Sequence, residues 1–292
     1  MRLLILILIV TLLLQAEEIL VINSNAKIEK YKEAEAGFRK SINRAFKTLD
    51  IADMKSSEVK EYLNTENPDI AYAIGSKAYQ YANMFIPNKK IFFSSIMNWK
   101  KLNMSGERFG ISHDLHSEMQ LMLIKLIFSD IKTIGIIYSK HTQDVMQEFK
   151  KNSKNLRIKI LPKQVSKDSI SDENFVDILS KTEAMIVLPD PILLSDDKIV
   201  KKIFKLSKEQ KKPVFAYHKS FIKYGAALVT SVDNQTIGRQ VATMINSSTY
   251  KDVSNKVLHP AGTKVIFNKK VVIEQGIKFD SYAASIITEV IE

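Results

Sequence analysis

The stretch that most constrains the fold of this chain covers residues 213–238 and reads PVFAYHKSFIKYGAALVTSVDNQTIG. It opens with an apolar run, 213–216, that suits a buried strand, and a polar cluster beginning at Tyr217 follows where that strand should end. A second apolar run, 226–229, is followed by Asp233 and a helical pattern. This repeated succession of strand, polar turn and helix predicts an open α/β sheet, in which ligands bind beyond the carboxyl ends of the strands.

The same alternation of strand and helix patterns runs through most of the chain. Strand patterns are found at 19–22, 69–74, 90–93, 133–138, 157–161, 184–188 and 264–267. Helical periodicity is found at 28–49, 77–85, 115–127, 142–152, 172–180 and 281–291. Strands that alternate with helices predict βαβ units and parallel sheets.

An interruption of this alternation at 109–112 predicts two halves that are built in the same way. The C-terminal tail is too long for a frayed end, and we expect it to return to the first half. We therefore predict an N-terminal lobe of residues 17–110 with about 255–292, and a C-terminal lobe of residues 111–254. Gly110 and Gly262 are the predicted hinge residues.

The N-terminal residues 1–16 read MRLLILILIVTLLLQA and predict a secretory signal peptide that is cleaved near Ala16. The apolar run is too short for a comfortable membrane span, and an uncleaved N-terminal anchor is the alternative. Because the chain contains no cysteine, no lipid can be attached to one after the signal, and we do not expect a lipoprotein. An exported protein without an anchor is best retained between two membranes, so the predicted location is a Gram-negative periplasm.

The net charge of +11 includes a lysine-rich segment, 198–212, whose apolar positions recur at helical spacing. We interpret this segment as a solvated helix face, with contact to anionic lipid as the alternative. Binding to nucleic acid is not expected, because the chain shows no known nucleic-acid-binding module and is predicted to be exported.

Motifs for phosphate cradles and for activated nucleophiles are missing from the sequence. We therefore predict no cofactor and no enzyme activity, with a hydrolase that uses Asp190 or His218 as a minor alternative. The one candidate metal pair is His113 and His116, whose spacing would let two imidazoles face one ion on a helix. Their place beside Ser112, a predicted helix cap, favours exposed or hinge histidines, so no metal site is predicted.

Four segments resemble the ABC-transporter substrate-binding family that includes tryptophan- and tyrosine-binding proteins. The first two are GAALVTSVDNQTIGRQVA at 225–242, with its Asp and helix-opening Gly, and VIFNKKVVIEQGIKF at 265–279. The others are FGIS at 109–112 and AIGSKAYQYA at 73–82. The resemblance implies a type I periplasmic-binding-protein fold: two Rossmann-like lobes with parallel sheets, joined by a three-crossing hinge and closing on a small ligand.

Small polar residues after the predicted strands form the candidate ligand site. If Ser76 begins a helix, its hydroxyl and the neighbouring backbone N–H groups suit a carboxylate. Asp190 is predicted to pair a ligand ammonium, and Tyr217 to stack on a planar group. The predicted ligand-binding residues are Ser24, Ser76, Lys77, Ser94, Ser95, Ser139, Asp190, Tyr217 and Asp233. The alternative for the serines is an ordinary helix cap or turn residue, and that for Asp190 is a turn residue. For Tyr217, the alternative is simple packing at the edge of the cleft.

The function that follows from the resemblance is that of the periplasmic solute-binding component of an ABC importer. The expected ligand is a small amino-acid-like or aromatic solute in the cleft between the lobes. The expected partner is an inner-membrane ABC permease, and the protein is expected to be a monomer. The alternative is a periplasmic ligand-sensing protein that acts on a membrane receptor or regulator.

Overall fold

The computed structural model describes residues 17–97, 99–247, 250 and 256–292, so the predicted signal peptide lies outside the described residues. The chain folds into two compact units. Unit 1 contains the chain up to Asp114 together with Val232–Gly262, and unit 2 contains Leu115–Ser231 and Thr263–Glu292. The chain therefore passes between the units three times, which confirms the predicted number of crossings.

Unit 1 is built around a six-stranded sheet in the order β11-β5-β4-β3-β1-β2. Its strands are β1 (Ile19–Asn23), β2 (Phe46–Asp50), β3 (Ile70–Ile74), β4 (Lys90–Ser94), β5 (Arg108–Ile111) and β11 (Val257–Leu258). Its helices are α1 (Glu29–Ser41), α2 (Ser56–Glu66), α3 (Ser76–Phe85) and α8 (Asn234–Ser247), with a 3-10 turn at Trp99–Lys101. Every pairing of neighbouring strands in this sheet is parallel.

Unit 2 is built around a seven-stranded sheet in the order β13-β12-β10-β9-β8-β6-β7. Its strands are β6 (Thr133–Tyr138), β7 (Lys159–Gln164), β8 (Ala184–Val187), β9 (Val214–Ala216), β10 (Leu228–Val232), β12 (Thr263–Asn268) and β13 (Glu289–Ile291). Its helices are α4 (Ser117–Ile127), α5 (Gln143–Asn152), α6 (Asp172–Ser180), α7 (Asp197–Glu209) and α9 (Lys269–Glu274). Three 3-10 helices complete the unit, at Ser153–Leu156, Lys219–Tyr224 and Ser281–Ile286.

The strands β6 to β10 of this sheet are parallel, whereas β12 runs against β10. The direction of β12 follows from two backbone bonds at its ends. The N–H of Asn268 donates to the carbonyl of Ala227, and that of Asp233 donates to the carbonyl of Gly262. The parallel strands of each sheet therefore have their carboxyl ends at one edge, and each unit has a hydrophobic core of its own.

Two of the predicted helices are wrong in part. The pattern at 28–49 continues as a helix only to Ser41, after which Ile42 is extended and β2 begins at Phe46. The apolar residues of this segment still meet, because the rings of Phe38 and Phe46 lie 5.6 Å apart. The predicted helix at 281–291 is a short 3-10 helix followed by β13, whose parallel pairing with β12 replaces helical hydrogen bonds.

The boundaries of the units also differ from those predicted. The tail from Thr263 belongs to unit 2, because β12 lies beside β10 in the sheet of that unit. Helix α8 belongs to unit 1, where it packs against α1. That packing depends on two glycines: a Cβ on Gly37 would lie 2.0 Å from the carbonyl oxygen of Gln235, and one on Gly238 would lie 1.9 Å from that of Ala34.

Of the predicted hinge residues, Gly110 lies inside β5, where a Cβ would approach the ring of Phe93 to 2.5 Å. The nearest crossing follows Asp114. Gly262 lies directly at the third crossing. The hinge role of both stays a prediction.

No helix in the described part of the chain combines the length and the apolar character that a membrane crossing requires.

Candidate functional site

In unit 1, the carboxyl ends of three neighbouring parallel strands bring the predicted polar residues together. The strand register places Asn23 beside Ile74, and Ile74 beside Ser94. The residues that follow these positions are therefore adjacent at one edge of the sheet. They are Ser24 after β1, Gly75 and Ser76 after β3, and Ser95 after β4.

Helix α3 begins at this edge, and its first backbone N–H groups are only partly used by the chain. The N–H of Gly75 donates to the carbonyl of Ser94 at 3.0 Å, and the N–H of Ala78 donates to Ser24 Oγ at 3.0 Å. Those of Ser76 and Lys77 have no acceptor among the described residues. A helix N-terminus carries partial positive charge, so these two N–H groups are suited to an anionic oxygen.

Gly75 gives the turn between β3 and α3 a conformation that favours glycine strongly, with φ 88° and ψ 166°. A Cβ at this position would lie 2.7 Å from Ser24 Oγ and 2.7 Å from the ring of Tyr31. Tyr31 thus lies over the edge, and burial raises the pKa of its phenol. The sequence does not indicate a role for Tyr31 at this edge, since Tyr31 is far from Gly75 in the chain and no local pattern connects them.

The end of β4 is polar, buried and strained. Ser94 and Ser95 are 0% and 2% exposed, and the hydroxyls of Tyr72 and Ser94 share a hydrogen bond of 2.7 Å. Burial raises the pKa of Tyr72, so its hydroxyl keeps its proton. Ser95 has φ 60°, a left-handed backbone conformation that residues other than glycine rarely adopt. Such residues cluster at functional sites.

Two other predicted ligand residues of unit 1 have partners within the unit. Lys77 Nζ donates to the carbonyls of Ile51 and Ala52, at 2.5 and 3.2 Å, in the loop after β2. Asp233 caps α8, accepting from the N–H of Gln235 at 3.1 Å, and it also accepts from the hydroxyl of Thr236 at 2.5 Å. Direct contact of Lys77 and Asp233 with a ligand stays a prediction.

In unit 2, the carboxyl ends of β6 and β8 are joined by the side chain of Asp190, which is 0% exposed. Its Oδ2 accepts from the N–H of Ser139 at 2.7 Å and from the hydroxyl of Thr142. Its Oδ1 accepts from the N–H groups of Ile192 and Leu193, at 2.9 and 3.3 Å. The sequence predicts Ser139 and Asp190 as separate ligand contacts, and the structure brings them into direct contact with each other.

Tyr217 follows β9 at the same edge of unit 2. Its ring lies 5.2 Å from that of Phe221, and it is half-buried. Burial raises the pKa of Tyr217 to about 12. Its hydroxyl has no hydrogen-bond partner in the described part of the chain, so this side chain offers a planar face and an unused polar tip.

His113 and His116 do not belong to a metal-binding cluster in the part of the chain that the structure describes. No group of three or more His, Asp or Glu side chains is placed there to hold an ion. His116 begins α4 as its N-cap residue, and its Nδ1 lies 3.9 Å from Glu118 Oε2.

The sequence matches the family described as ABC transporter substrate binding protein over residues 29–290. The chain belongs to this family. Its members are solute-binding proteins and not a class of enzymes, so the family implies a small-molecule ligand and an ABC permease as partner. Substrate-binding proteins of ABC transporters are extracellular or periplasmic. No match was found among curated protein sequences.

Three solved structures show the same fold. The ligand-free, open form of a substrate-binding protein with adhesive properties from Clostridium difficile has a TM-score of 0.73 and 15% identity, covering 95% of this chain and 99% of that one. An ABC domain from Streptococcus pneumonia in complex with L-Trp has a TM-score of 0.59 and 19% identity, covering 95% and 100%. A conserved domain protein from Vibrio cholerae has a TM-score of 0.57 and 19% identity, covering 94% and 100%. The predicted type I periplasmic-binding-protein fold is confirmed.

Proposed function

We propose that this protein binds a small solute that carries a carboxylate and an apolar or aromatic group, and that it delivers the solute to an ABC importer. The observation that carries the proposal is the pair of backbone N–H groups, on Ser76 and Lys77, without an acceptor in the described residues. The L-Trp complex of the pneumococcal protein supports an amino-acid-like ligand. We further propose that the protein acts as a monomer in the periplasm after removal of its signal.

The chemistry of the unit 1 edge explains the preference for a carboxylate. Backbone N–H groups at a helix N-terminus attract negative charge and carry no proton that titrates. The hydroxyls of Ser76 and Ser95 add neutral donors, whereas contact of Ser94, whose buried hydroxyl is bonded to that of Tyr72, stays a prediction. The ring of Tyr31 lies beside Gly75 and offers an apolar surface to the rest of the solute.

The edge of unit 2 is proposed to contribute Ser139 and the ring of Tyr217. An aromatic ring with an unused hydroxyl suits a planar solute group that has one polar atom. It stays a prediction that both edges contact one solute. The hinge role of Gly110 and Gly262 also stays a prediction.

The first test is a thermal-shift and calorimetric screen of the purified protein with L-tryptophan, L-tyrosine, L-phenylalanine, indole-3-propionate and tryptamine. A ligand that binds the folded state raises the melting midpoint by mass action. We expect solutes with a carboxylate to raise the midpoint and tryptamine, which has none, to leave it unchanged. Failure of every carboxylate at millimolar concentration would contradict the proposed solute class.

The second test removes one N–H group from the helix terminus. Proline is tolerated at the first helical position, so S76P removes the N–H of Ser76 and leaves α3 in place. Because a hydrogen bond to a charged group contributes about 1.5–3 kcal/mol, we expect S76P to weaken carboxylate binding at least about tenfold. The control S76A removes the hydroxyl but keeps the N–H, and equal affinities of S76P and S76A would contradict the proposed role of that group.

A further inference from the structure

The carboxylate of Asp190 is saturated by donors of its own unit. An ionised carboxylate has about four acceptor sites. Two donors reach each oxygen of Asp190: the N–H of Ser139 and the hydroxyl of Thr142 on Oδ2, and the N–H groups of Ile192 and Leu193 on Oδ1. A carboxylate in this state has little capacity left to pair a ligand ammonium.

Two of these four bonds connect segments that are distant in sequence and adjacent in the sheet, and the other two stay within the loop after β8. Ser139 and Thr142 belong to the turn after β6, in which the N–H of Thr142 also donates to the carbonyl of Ser139 at 3.1 Å. Asp190 belongs to the loop after β8, the strand that pairs with β6. Burial by itself raises the pKa of Asp190, but the donors from Thr142, Ser139 and Ile192 outweigh it and lower the pKa overall, so the group stays charged.

We propose that Asp190 is a positioning residue of the solute site: it does not touch the solute, and it holds the turn 139–142 against the loop after β8. This role replaces the ammonium-pairing role predicted from the sequence. The binding measurements that test it rest on the proposed function, because they require the protein to bind a carboxylate solute. The Ser139 side chain is then fixed, because its Oγ accepts from the N–H of His141 at 3.2 Å within the same turn. The consequence is a selectivity that does not depend on an ammonium group in the solute.

The test compares L-tryptophan with indole-3-propionate, which is the same molecule without its ammonium group. In D190N, an amide N–H₂ replaces one carboxylate oxygen and faces backbone donors, so the two loops lose part of their connection. We expect the affinities for both probes to fall by the same factor, about tenfold. A loss for L-tryptophan with unchanged affinity for indole-3-propionate would show that Asp190 pairs the ammonium, and would overturn the proposal.

A second pair of variants keeps the charge of Asp190 and changes Thr142, whose hydroxyl donates to Asp190. T142V removes the hydroxyl without a large change of volume. We expect it to lower the affinities for L-tryptophan and indole-3-propionate by equal factors, as D190N does. T142S keeps a hydroxyl at this position, so we expect its affinity for both probes to stay close to that of the wild type. Full affinity in T142V would contradict the positioning role. D196N serves as the matched control, because Asp196 accepts from the N–H of Lys198 as the exposed cap of α7.

Amide hydrogen exchange on the ligand-free protein separates this inference from the proposed function. We expect D190N to accelerate exchange at Ser139, Ile192 and Leu193, with D196N unchanged there. If the wild-type protein binds neither probe, the proposed solute class fails, while faster exchange at these amides still supports the positioning role. Unchanged exchange in D190N would overturn the positioning role even if both probes bind.

Discussion

The carboxyl edges of the two sheets are built from the same kind of element and use their polar groups in opposite ways. In unit 1, the turn into α3 leaves the N–H groups of Ser76 and Lys77 without acceptors among the described residues. In unit 2, the carboxylate of Asp190 accepts from backbone and side-chain donors of the neighbouring loops. A shared topology therefore determines where a polar edge lies, and the side chains decide whether that edge keeps free donors or satisfies itself.

The two edges also differ in backbone strain. Gly75 and Ser95 of unit 1 both have positive φ, 88° and 60°, and both follow strands at the edge. The turn after β6 in unit 2 reaches its shape through hydrogen bonds to Asp190, and none of its residues, 139–142, has a positive φ. Strained positions persist only where the surrounding structure over-determines them, which points to unit 1 as the edge whose shape is the more constrained.

The largest expected effect is that of G75A. Alanine at φ 88° is strained, and its Cβ would lie 2.7 Å from Ser24 Oγ and from the ring of Tyr31. We expect a loss of at least about 3 kcal/mol in the free energy of unfolding, measured by urea denaturation. The control is G276A in unit 2, where φ is 67° but no heavy atom lies within 4 Å of the added Cβ. Equal losses in the two variants would show that the contact with Ser24 and Tyr31 is unimportant.

The pH dependence of unit 2 is the second test. The pKa of Asp190 is lowered in the folded state, so its ionised form contributes stability that is present above the unfolded pKa of about 3.9 and is lost as pH falls through the folded value. We expect D190N to be less stable than the wild type by about 2 kcal/mol at pH 7. Urea titrations at pH 7, 5, 4 and 3 should show this gap shrinking below about pH 4. A gap that stays constant to pH 3 would mean that the charge of Asp190 does not contribute.

A smaller effect is expected when the side-chain acceptor for the first turn of α3 is removed. S24A leaves the N–H of Ala78 without its 3.0 Å partner, and the loss of a helix cap costs about 1 kcal/mol of unfolding free energy. S171A is the matched variant in unit 2, since Ser171 Oγ accepts from the N–H of Asn174 at the start of α6. Both should lose similar stability, but only S24A should also weaken binding of a carboxylate. Weaker binding in S171A as well would mean that general destabilisation lowers the affinity.

The smallest effect is expected for Y217F. The Tyr217 hydroxyl has no partner within the described residues, so its removal should change the free energy of unfolding by less than about 0.5 kcal/mol. Y72F in unit 1 removes a buried bond of 2.7 Å to Ser94 and should cost about 1 kcal/mol. A stability loss in Y217F as large as that in Y72F would indicate that Tyr217 has a polar partner in solution.

Much of the edge in unit 1 was predictable because its elements are local. A strand such as β3 is a short apolar run, and Gly75-Ser76 marks its end and the start of α3. Helix α6 begins after Ser171, as its capping pattern predicts. By contrast, Phe46 fits the apolar spacing of α1 but belongs to β2, because pairing with β1 outweighs the local periodicity.

The contacts that define the two edges were not predictable, since each connects residues far apart in the chain. Tyr31 meets Gly75 and Asp190 meets Ser139 only after parallel strands have aligned their ends. The return of α8 to unit 1 likewise depends on Gly37 and Gly238, which let two helices approach closely. A single sequence marks such glycines as permissive but does not name the partner of each.

The sequence by itself determined the class of fold, the alternation of strands and helices and the polar character of the strand ends, because these depend on periodicity and on residues close together in the chain. The tertiary structure alone decided which unit each tail segment joins, which donors stay without acceptors and which carboxylate is saturated. The physical reason is that hydrogen-bond satisfaction depends on distances between atoms, and those distances exist only once the strands have paired.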